Sequence, residues 1–244
     1  MHNVITLPPS PSVAQEAVKD QVYRHLRDGL MAGRFAPGQR LTIRGLAEAL
    51  GSSPMPVDEA LRRLQAEGAF EFSGTARFSV GQLSEPQLRD VRDARVALEG
   101  LLAERAASRM TRVDDAEVTQ LYGRLQVAAD AVDGSAYLWM NFAFHRRIYQ
   151  IAQAPMILGA VENFWLLIGP CFVLVAPDAA HLQRSMDAHR RILDALLDRD
   201  TPAARAAVTD DIMQAANCLS RLLDKAAKER SVAAPRRRRK DIST

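Results

Sequence analysis

Apolar residues recur at helical spacing in three successive runs along the N-terminal third of the chain. The first run ends at Gly33, and the second ends at Gly51, where a helix commonly stops in a left-handed residue. Each run therefore predicts a helix with one buried stripe. The apolar positions of the three stripes are, in order, Val18, Val22, Leu26, Leu30 and Met31, then Ile43, Leu46, Ala47 and Leu50, then Val57, Ala60, Leu61 and Leu64.

A short polar turn separates the second helix from the third. Ser52 and Ser53 offer side-chain oxygens that can cap the third helix, and Pro56 suits its first turn. Two short helices joined by a tight turn form a helix-turn-helix, whose DNA-reading helix would start here near Pro56. On the pattern alone, the alternative is an ordinary helical hairpin inside a core.

Two short segments with aromatic residues follow the third helix, at 70–73 and 78–82, and Gly74-Thr75 joins them. This pattern predicts a β-hairpin, or wing. A helix, a helix-turn-helix and a wing in this order form a winged-helix domain. We place this domain at residues 13–82, after a flexible N-terminus at 1–12.

A helical pattern begins at Ser84-Glu85-Pro86, with the serine as cap and the acid and proline in the first turn, and continues to about Lys228. Six helices with short loops form an antiparallel all-α bundle, which we place at residues 83–230. The fold class is therefore mainly α, with a winged helix-turn-helix followed by a helical domain. The predicted bundle helices are 85–109, 114–132, 135–153, 156–175, 179–198 and 202–228.

The basic residues are concentrated at the end of the chain. The net charge of +3 includes five positive residues at 236–240, and without them the sum is 3 − 5 = −2. Such a run builds no core, so we expect residues 231–244 to form a disordered basic tail. The tail either solubilises the chain end or contacts phosphates non-specifically.

The remaining composition favours a cytoplasmic protein. Cys171 and Cys218 lie in apolar helical surroundings, which favours reduced core residues over a disulfide or a metal pair. We expect no apolar run long enough to span a membrane, and the N-terminus lacks the pattern of a secretion signal.

The segment GRFAPGQRLTIRGLAEALGSSPMPVDEALRRLQAEGAF resembles the DNA-binding domain of the GntR family of bacterial transcription regulators. The shared features are the Pro37-Gly38 turn, Leu46-Ala47, Pro56-Val57, the run at 60–64 and the following Glu67-Gly68. The resemblance implies that the partner is double-stranded DNA.

Several positions depart from the family's pattern. The two recognition arginines of the family fall on Pro54 and Asp58, and the Arg-Gly pair of its wing falls on Ala76-Arg77. Arg44 matches a usual DNA-contacting arginine, and Arg62, Arg63 and Arg77 could supply other contacts. The resemblance implies the following DNA-binding candidates: Arg44, Ser53, Pro54, Met55, Asp58, Arg62 and Arg77.

Asp58 has the wrong sign for a phosphate contact. It could accept a hydrogen bond from a cytosine amino group, or it could pair with Arg62 one turn later. The remaining interpretation is a solvated acid on the helix surface.

The segment RDARVALEGLLAERAA resembles the opening helix of the FCD effector domain, which belongs to the FadR subfamily of GntR regulators. Arg95 matches the cavity arginine of that family, and a guanidinium suits a carboxylate ligand by bidentate pairing. The alternative is a surface ion pair between Arg95 and Glu99.

The family's metal ligands, one Asp and three His, fall on Asn141, His145, His189 and Asp211. Two imidazoles and one carboxylate still suffice for Zn²⁺, Mn²⁺ or Ni²⁺, with water completing the coordination. The alternative is a decayed site whose groups hydrogen-bond in a polar cavity. The effector-binding candidates are Arg95, Asn141, His145 and His189.

These patterns together predict a homodimeric, ligand-responsive transcription regulator that is not an enzyme. One winged helix per subunit would bind half of a pseudo-palindromic operator, and a small organic acid would act as effector. One rival is a regulator-derived sensor that has lost operator binding. A second rival is a metal-dependent enzyme that activates water, although no motif places a general acid or base.

Overall fold

The structure is a computed structural model. It describes residues 13–72, 77–176 and 178–233, and side chains from residue 18 to residue 223 within those ranges. The described helices are α1 Val13–Met31, α2 Ile43–Ala49, α3 Pro54–Ala66, α4 Glu85–Arg109, α5 Arg112–Asp130, α6 Gly134–Ile151, α7 Pro155–Ile168, α8 Ala179–Leu197 and α9 Thr201–Ala233. A 3₁₀ helix spans Gly169–Leu174, and the strands are β1 Arg40–Thr42, β2 Phe70–Phe72 and β3 Arg77–Val80.

The chain forms two compact units. The first contains Met1–Gln82 and Glu162–Val173, and the second contains Leu83–Val161 and Leu174–Thr244. From the sequence we expected residues 162–173 in the helical domain, whereas the structure packs them with the winged helix. The N-terminal segment 1–12, the Gly74-Thr75 turn with Ala76, and the tail from 234 onward lie outside the described residues.

The first unit is a winged helix with a three-stranded antiparallel sheet in the order β1-β3-β2. β3 pairs with β2 through Phe72 opposite Phe78, which confirms the predicted hairpin, and Phe78 also lies opposite Leu41 of β1. The sequence pattern did not predict β1, because a strand of three residues gives too short an alternation to detect.

The helix-turn-helix is present, with small differences from the prediction. Gly51 adopts a left-handed φ of 58° between α2 and α3, as expected. α3 begins at Pro54 and not near Pro56, and Ser53 is its N-cap without a capping hydrogen bond from its side chain. The predicted stripe of α3 is buried at Val57, Ala60, Leu61 and Leu64.

The predicted stripe of α1 is correct except at its first residue. Val22, Leu26, Leu30 and Met31 are buried, whereas Val18 is 46% exposed. The buried apolar surface of α1 therefore begins one turn later than the pattern suggested.

Residues 162–173 pack closely on α1. A Cβ on Gly169 would overlap the carbonyl oxygen of Leu30 and would lie 2.8 Å from Cα of Met31, so only glycine fits without backbone movement. Arg27 donates to Glu162 at 2.8 Å, which adds a part-buried ion pair to the same contact.

The second unit is an all-α bundle in which α9 packs along α4 and α8, while α5 packs on α6. Ser84 and Gln87 form the capping box that begins α4. The predicted single helix at 156–175 is replaced by α7 and the 3₁₀ helix, because Pro170 lacks the N–H that an α-helix would need there. The other predicted bundle helices match in number and order within the described residues.

The segment Pro155–Leu174 has a mean hydropathy of 1.8 over a membrane-spanning length. The expectation that no run reaches this length was therefore wrong. The core helix of a soluble protein can have the same length and composition, and 44% of this segment is buried within the molecule. Its length and composition are weak evidence for a membrane span.

Candidate metal and effector site and DNA-binding surface

Three side chains that the family resemblance indicated as metal ligands meet in the core of the helical unit. His145 of α6, His189 of α8 and Asp211 of α9 each place one ligand atom within 4.8 Å of the others. Nε2 of His145 lies 3.0 Å from Nε2 of His189 and 3.4 Å from Oδ2 of Asp211. Both rings are buried, and the Asp211 side chain is 13% exposed.

A hydrogen-bonded relay leads away from this cluster. Tyr149 contacts Nδ1 of His145 at 3.2 Å, and its hydroxyl donates to Oε2 of Glu99 at 2.7 Å. Arg95 donates to both oxygens of Glu99, at 2.6 Å from Nε and 3.3 Å from Nη2. The Arg95–Glu99 pair is therefore formed, but it is buried and not on the surface.

The relay assigns the tautomer of His145. The hydroxyl proton of Tyr149 is used on Glu99, so the tyrosine oxygen accepts from Nδ1–H of His145. In this tautomer the lone pair of the ring is on Nε2 of His145, which faces His189 and Asp211. This is the form of imidazole that binds a metal ion.

Burial and charge set the ionisation of the other two groups. Burial lowers the pKa of His189 to about 4, so its ring is neutral at neutral pH. Burial opposes ionisation of Asp211. Below about pH 4 the protonated His189 ring attracts this carboxylate, and together with the charge of Arg95 it holds the Asp211 pKa at about 2. A neutral His189 imidazole and an ionised Asp211 carboxylate are the states that coordination requires.

The donor set supports the fit of this site to a cation, because two imidazole nitrogens and a carboxylate oxygen converge there. Nδ1 of His189 is buried and has no hydrogen-bond partner among the described residues. That atom is not the ring nitrogen that faces the cluster, because Nε2 of His189 lies against His145 and Asp211. Asn141 lies one turn before His145 on α6 with a half-buried side chain.

Glu99 and Tyr149 are functional candidates that the sequence pattern did not reveal. Each lies four residues after a proposed site residue on the same helix, Glu99 after Arg95 and Tyr149 after His145. The i, i+4 spacing was the available signal, because such residues share a helix face.

The proposed DNA-binding residues lie on the surface of the first unit. The side chains of Arg44, Ser53, Pro54, Met55, Arg62 and Arg77 are at least partly exposed. Asp58 accepts a hydrogen bond from Nε of Arg62 at 3.1 Å, which is one of the alternatives that the sequence left open. Arg63 points elsewhere, because its guanidinium stacks 3.7 Å from the ring centre of Tyr23 on α1.

Two surface cavities occur in the described part of the helical unit. One, of about 330 Å³, lies between α8 and α9, and the other, of about 630 Å³, lies along α5 and α6. None of the effector candidates Arg95, Asn141, His145 and His189 lines either cavity. Cys171 and Cys218 are both thiols outside any disulfide, as expected.

The winged helix followed by a helical unit defines a DNA-binding transcription regulator, and comparison with known proteins agrees. The gntR family of bacterial regulatory proteins matches residues 18–78, and the FCD domain matches residues 90–214. The chain belongs to the GntR family and carries an FCD domain. It is a transcription regulator and not an enzyme, and the FadR subfamily is consistent with this architecture.

Individual relatives are also regulators. The chain is 30% identical over 196 residues to the HTH-type transcriptional regulator McbR of Escherichia coli K12, covering 80% of this chain and 89% of McbR. It is 26% identical over 203 residues to the transcriptional repressor RspR of the same organism, covering 82% and 87%. The solved structure of E. coli McbR/YncC superposes with a TM-score of 0.79 at 28% identity, covering 84% of this chain and 98% of that one.

Proposed function

We propose that this regulator binds a pseudo-palindromic operator as a homodimer, and that a small-molecule effector in the helical domain controls its operator affinity. We further propose that a divalent metal, Zn²⁺, Mn²⁺ or Ni²⁺, anchors the effector at His145, His189 and Asp211. The observation that carries the proposal is the convergence of these three ligand atoms within 4.8 Å in the core of the bundle.

The ligand set suits a borderline-soft cation. Imidazole nitrogens and one carboxylate are the donors that Zn²⁺, Mn²⁺ and Ni²⁺ accept, and three protein ligands leave coordination positions open. The amide oxygen of Asn141 is a further candidate ligand on the same helix. A bound cation would supply a Lewis acid to which an effector carboxylate can bind.

The relay from Arg95 would support the metal indirectly. Arg95 neutralises Glu99, Glu99 accepts from Tyr149, and Tyr149 holds His145 in its metal-binding tautomer. An effector carboxylate that paired with Arg95 would first have to displace Glu99. We therefore propose that an organic acid contacts the metal, and that Arg95 acts through Glu99.

Metal analysis of the purified protein tests the centre. After loading and dialysis, we expect close to one equivalent of metal per chain in the wild type and a loss of metal in His145→Ala and His189→Ala. Helical circular dichroism establishes that both variants remain folded. Retention of a full equivalent in both variants would exclude this ligand set.

Regulation is tested by thermodynamic linkage. An effector that changes operator affinity by some factor must see its own affinity changed by the same factor when operator is bound. A ligand that binds the helical domain and leaves operator affinity unchanged would contradict the regulatory proposal.

The regulator-derived sensor that has lost operator binding is the second candidate, since Pro54 and Asp58 replace expected arginines. Binding to specific DNA distinguishes the two. A cytoplasmic location is part of the main proposal, because the relatives are bacterial transcription regulators.

A further inference from the structure

A groove on the outer side of the α8–α9 pair collects positive charge. Its volume is about 330 Å³. The residues that line it are His181, Arg184, Asp187, Arg191, Gln214, Asn217, Cys218 and Arg221. The three arginine side chains are exposed, whereas His189 on the same α8 is fully buried. The groove is therefore a surface site, distinct from the metal centre in the core.

The positive charge of the groove is not neutralised by the described residues that line it. Asp187 is the one carboxylate among the described residues that line it, against three guanidinium groups. Arg184 and Arg221 form no ion pair with another side chain that the structure describes. Arg191 donates to the backbone carbonyl of Asp187 at 3.3 Å, which leaves its charge in place.

Neutral donors complete the lining. Gln214 and Asn217 add side-chain amides from α9. His181 forms a buried wall, and burial together with the nearby Arg184 lowers its pKa. Guanidinium forks and amides are groups that bind oxyanions in proteins, the former by paired, charge-assisted hydrogen bonds.

We propose that the α8–α9 groove binds a compact oxyanion with at least two negative charges, either a phosphate group or a polycarboxylate. Three arginines against one aspartate leave two positive charges for the ligand to neutralise. The binding itself is independent of the metal centre. Its regulatory meaning rests on the proposed function, because α8 and α9 also carry His189 and Asp211.

Cys218 provides a reporter inside the groove. Its side chain is half-buried and lines the cavity, whereas Cys171 is 4% exposed. Alkylation of the full-length protein by iodoacetamide should therefore occur mainly at Cys218, and Cys218→Ala identifies that reaction. A ligand in the groove should slow it.

The experiment measures the Cys218 alkylation rate with inorganic phosphate or citrate, at low ionic strength held constant with sodium chloride. We expect at least one of these anions to slow alkylation in a saturable way. Arg184→Gln and Arg221→Gln should each weaken this protection about tenfold, since each removes a charge-assisted contact. Arg112→Gln, an exposed arginine on α5, carries the same charge change and should leave protection unchanged.

Each outcome either supports or contradicts the proposed oxyanion site. Protection by phosphate alone indicates a phosphorylated ligand, and protection by citrate alone indicates a polycarboxylate. Absence of protection by both anions, or equal protection in the groove variants and the control, would overturn the proposal. Metal content and operator binding of the same variants show separately whether the proposed function stands.

Discussion

Asp58 is held in an i, i+4 ion pair with Arg62 on the exposed side of α3, so each partner partly cancels the other's charge. One oxygen of Asp58 is buried without a partner among the described residues. A helix surface that meets DNA should attract phosphate, and Asp58 works against that attraction.

Replacing Asp58 with arginine should therefore tighten DNA binding. The change removes a repulsive charge, frees Arg62 and adds a donor for phosphate or guanine, which together should be worth about 1–3 kcal/mol. Fluorescence anisotropy at a stated low salt concentration measures the effect. Asp90→Arg carries the same charge change at an exposed position on α4 and serves as the control. Equal tightening in both variants would indicate a non-specific charge effect.

In the proposed metal site, Tyr149 positions His145 without being a ligand itself, so Tyr149→Phe should weaken metal binding and leave the proposed ligands in place. Loss of the hydrogen bond to a ligating histidine typically costs about 10–100-fold in affinity. Competition with a chromophoric chelator measures the change. Tyr122→Phe, which removes a half-buried hydroxyl bonded to Gln126, is the matched control. Unchanged affinity in Tyr149→Phe would show that the relay does not support the metal.

The family resemblance identified His145, His189 and Asp211 as a set, and the structure brings their side chains together. Glu99 and Tyr149 were not identified, because their roles depend on which faces of α4 and α6 meet. A helical repeat in the sequence shows which residues share a helix face. Only the packed structure shows which residue of another helix that face contacts.

The position of the 3₁₀ helix against α1 depends on the small size of Gly169. Gly169→Ala would force a Cβ against the backbone of Leu30 and Met31, which has little room to move. We expect a loss of stability of about 1–3 kcal/mol, typical of overpacking. Urea unfolding measures it.

Gly159→Ala on α7 is the control for that substitution. A Cβ there meets nothing within 4 Å, so the same change should raise stability by about 0.5–1 kcal/mol through helix propensity. Equal effects at the two positions would show that the Gly169 contact with α1 is not formed.

Element boundaries were predictable where caps and breakers act on their own sequence neighbours. α4 begins at Glu85, as the serine cap with Glu85 and Pro86 indicated, because these residues act on their immediate sequence neighbours. The break of the long apolar run into α7 and a 3₁₀ helix was not predicted, since the run is apolar on both sides of Pro170. β1 was missed because its pairing with β3 is a long-range contact.

The basic tail affects the charge of the whole molecule, since its five basic residues at 236–240 change the net charge from −2 to +3. Deleting residues 235–244 should flatten the dependence of DNA affinity on salt. Each phosphate contact adds about 0.9 to the slope on duplex DNA, so five cations can add up to about 4.5. An unchanged slope would show that the tail takes no part in DNA binding.

Sequence-specific DNA binding is the property on which the proposed regulation depends. The most direct measurement enriches duplexes from a random library with the full-length protein, and then compares the best duplex with a scrambled one at a stated low salt concentration. We predict a pseudo-palindromic site bound by two chains, with a preference on the order of 10³-fold or more. Equal affinity for the enriched and scrambled duplexes would contradict this prediction.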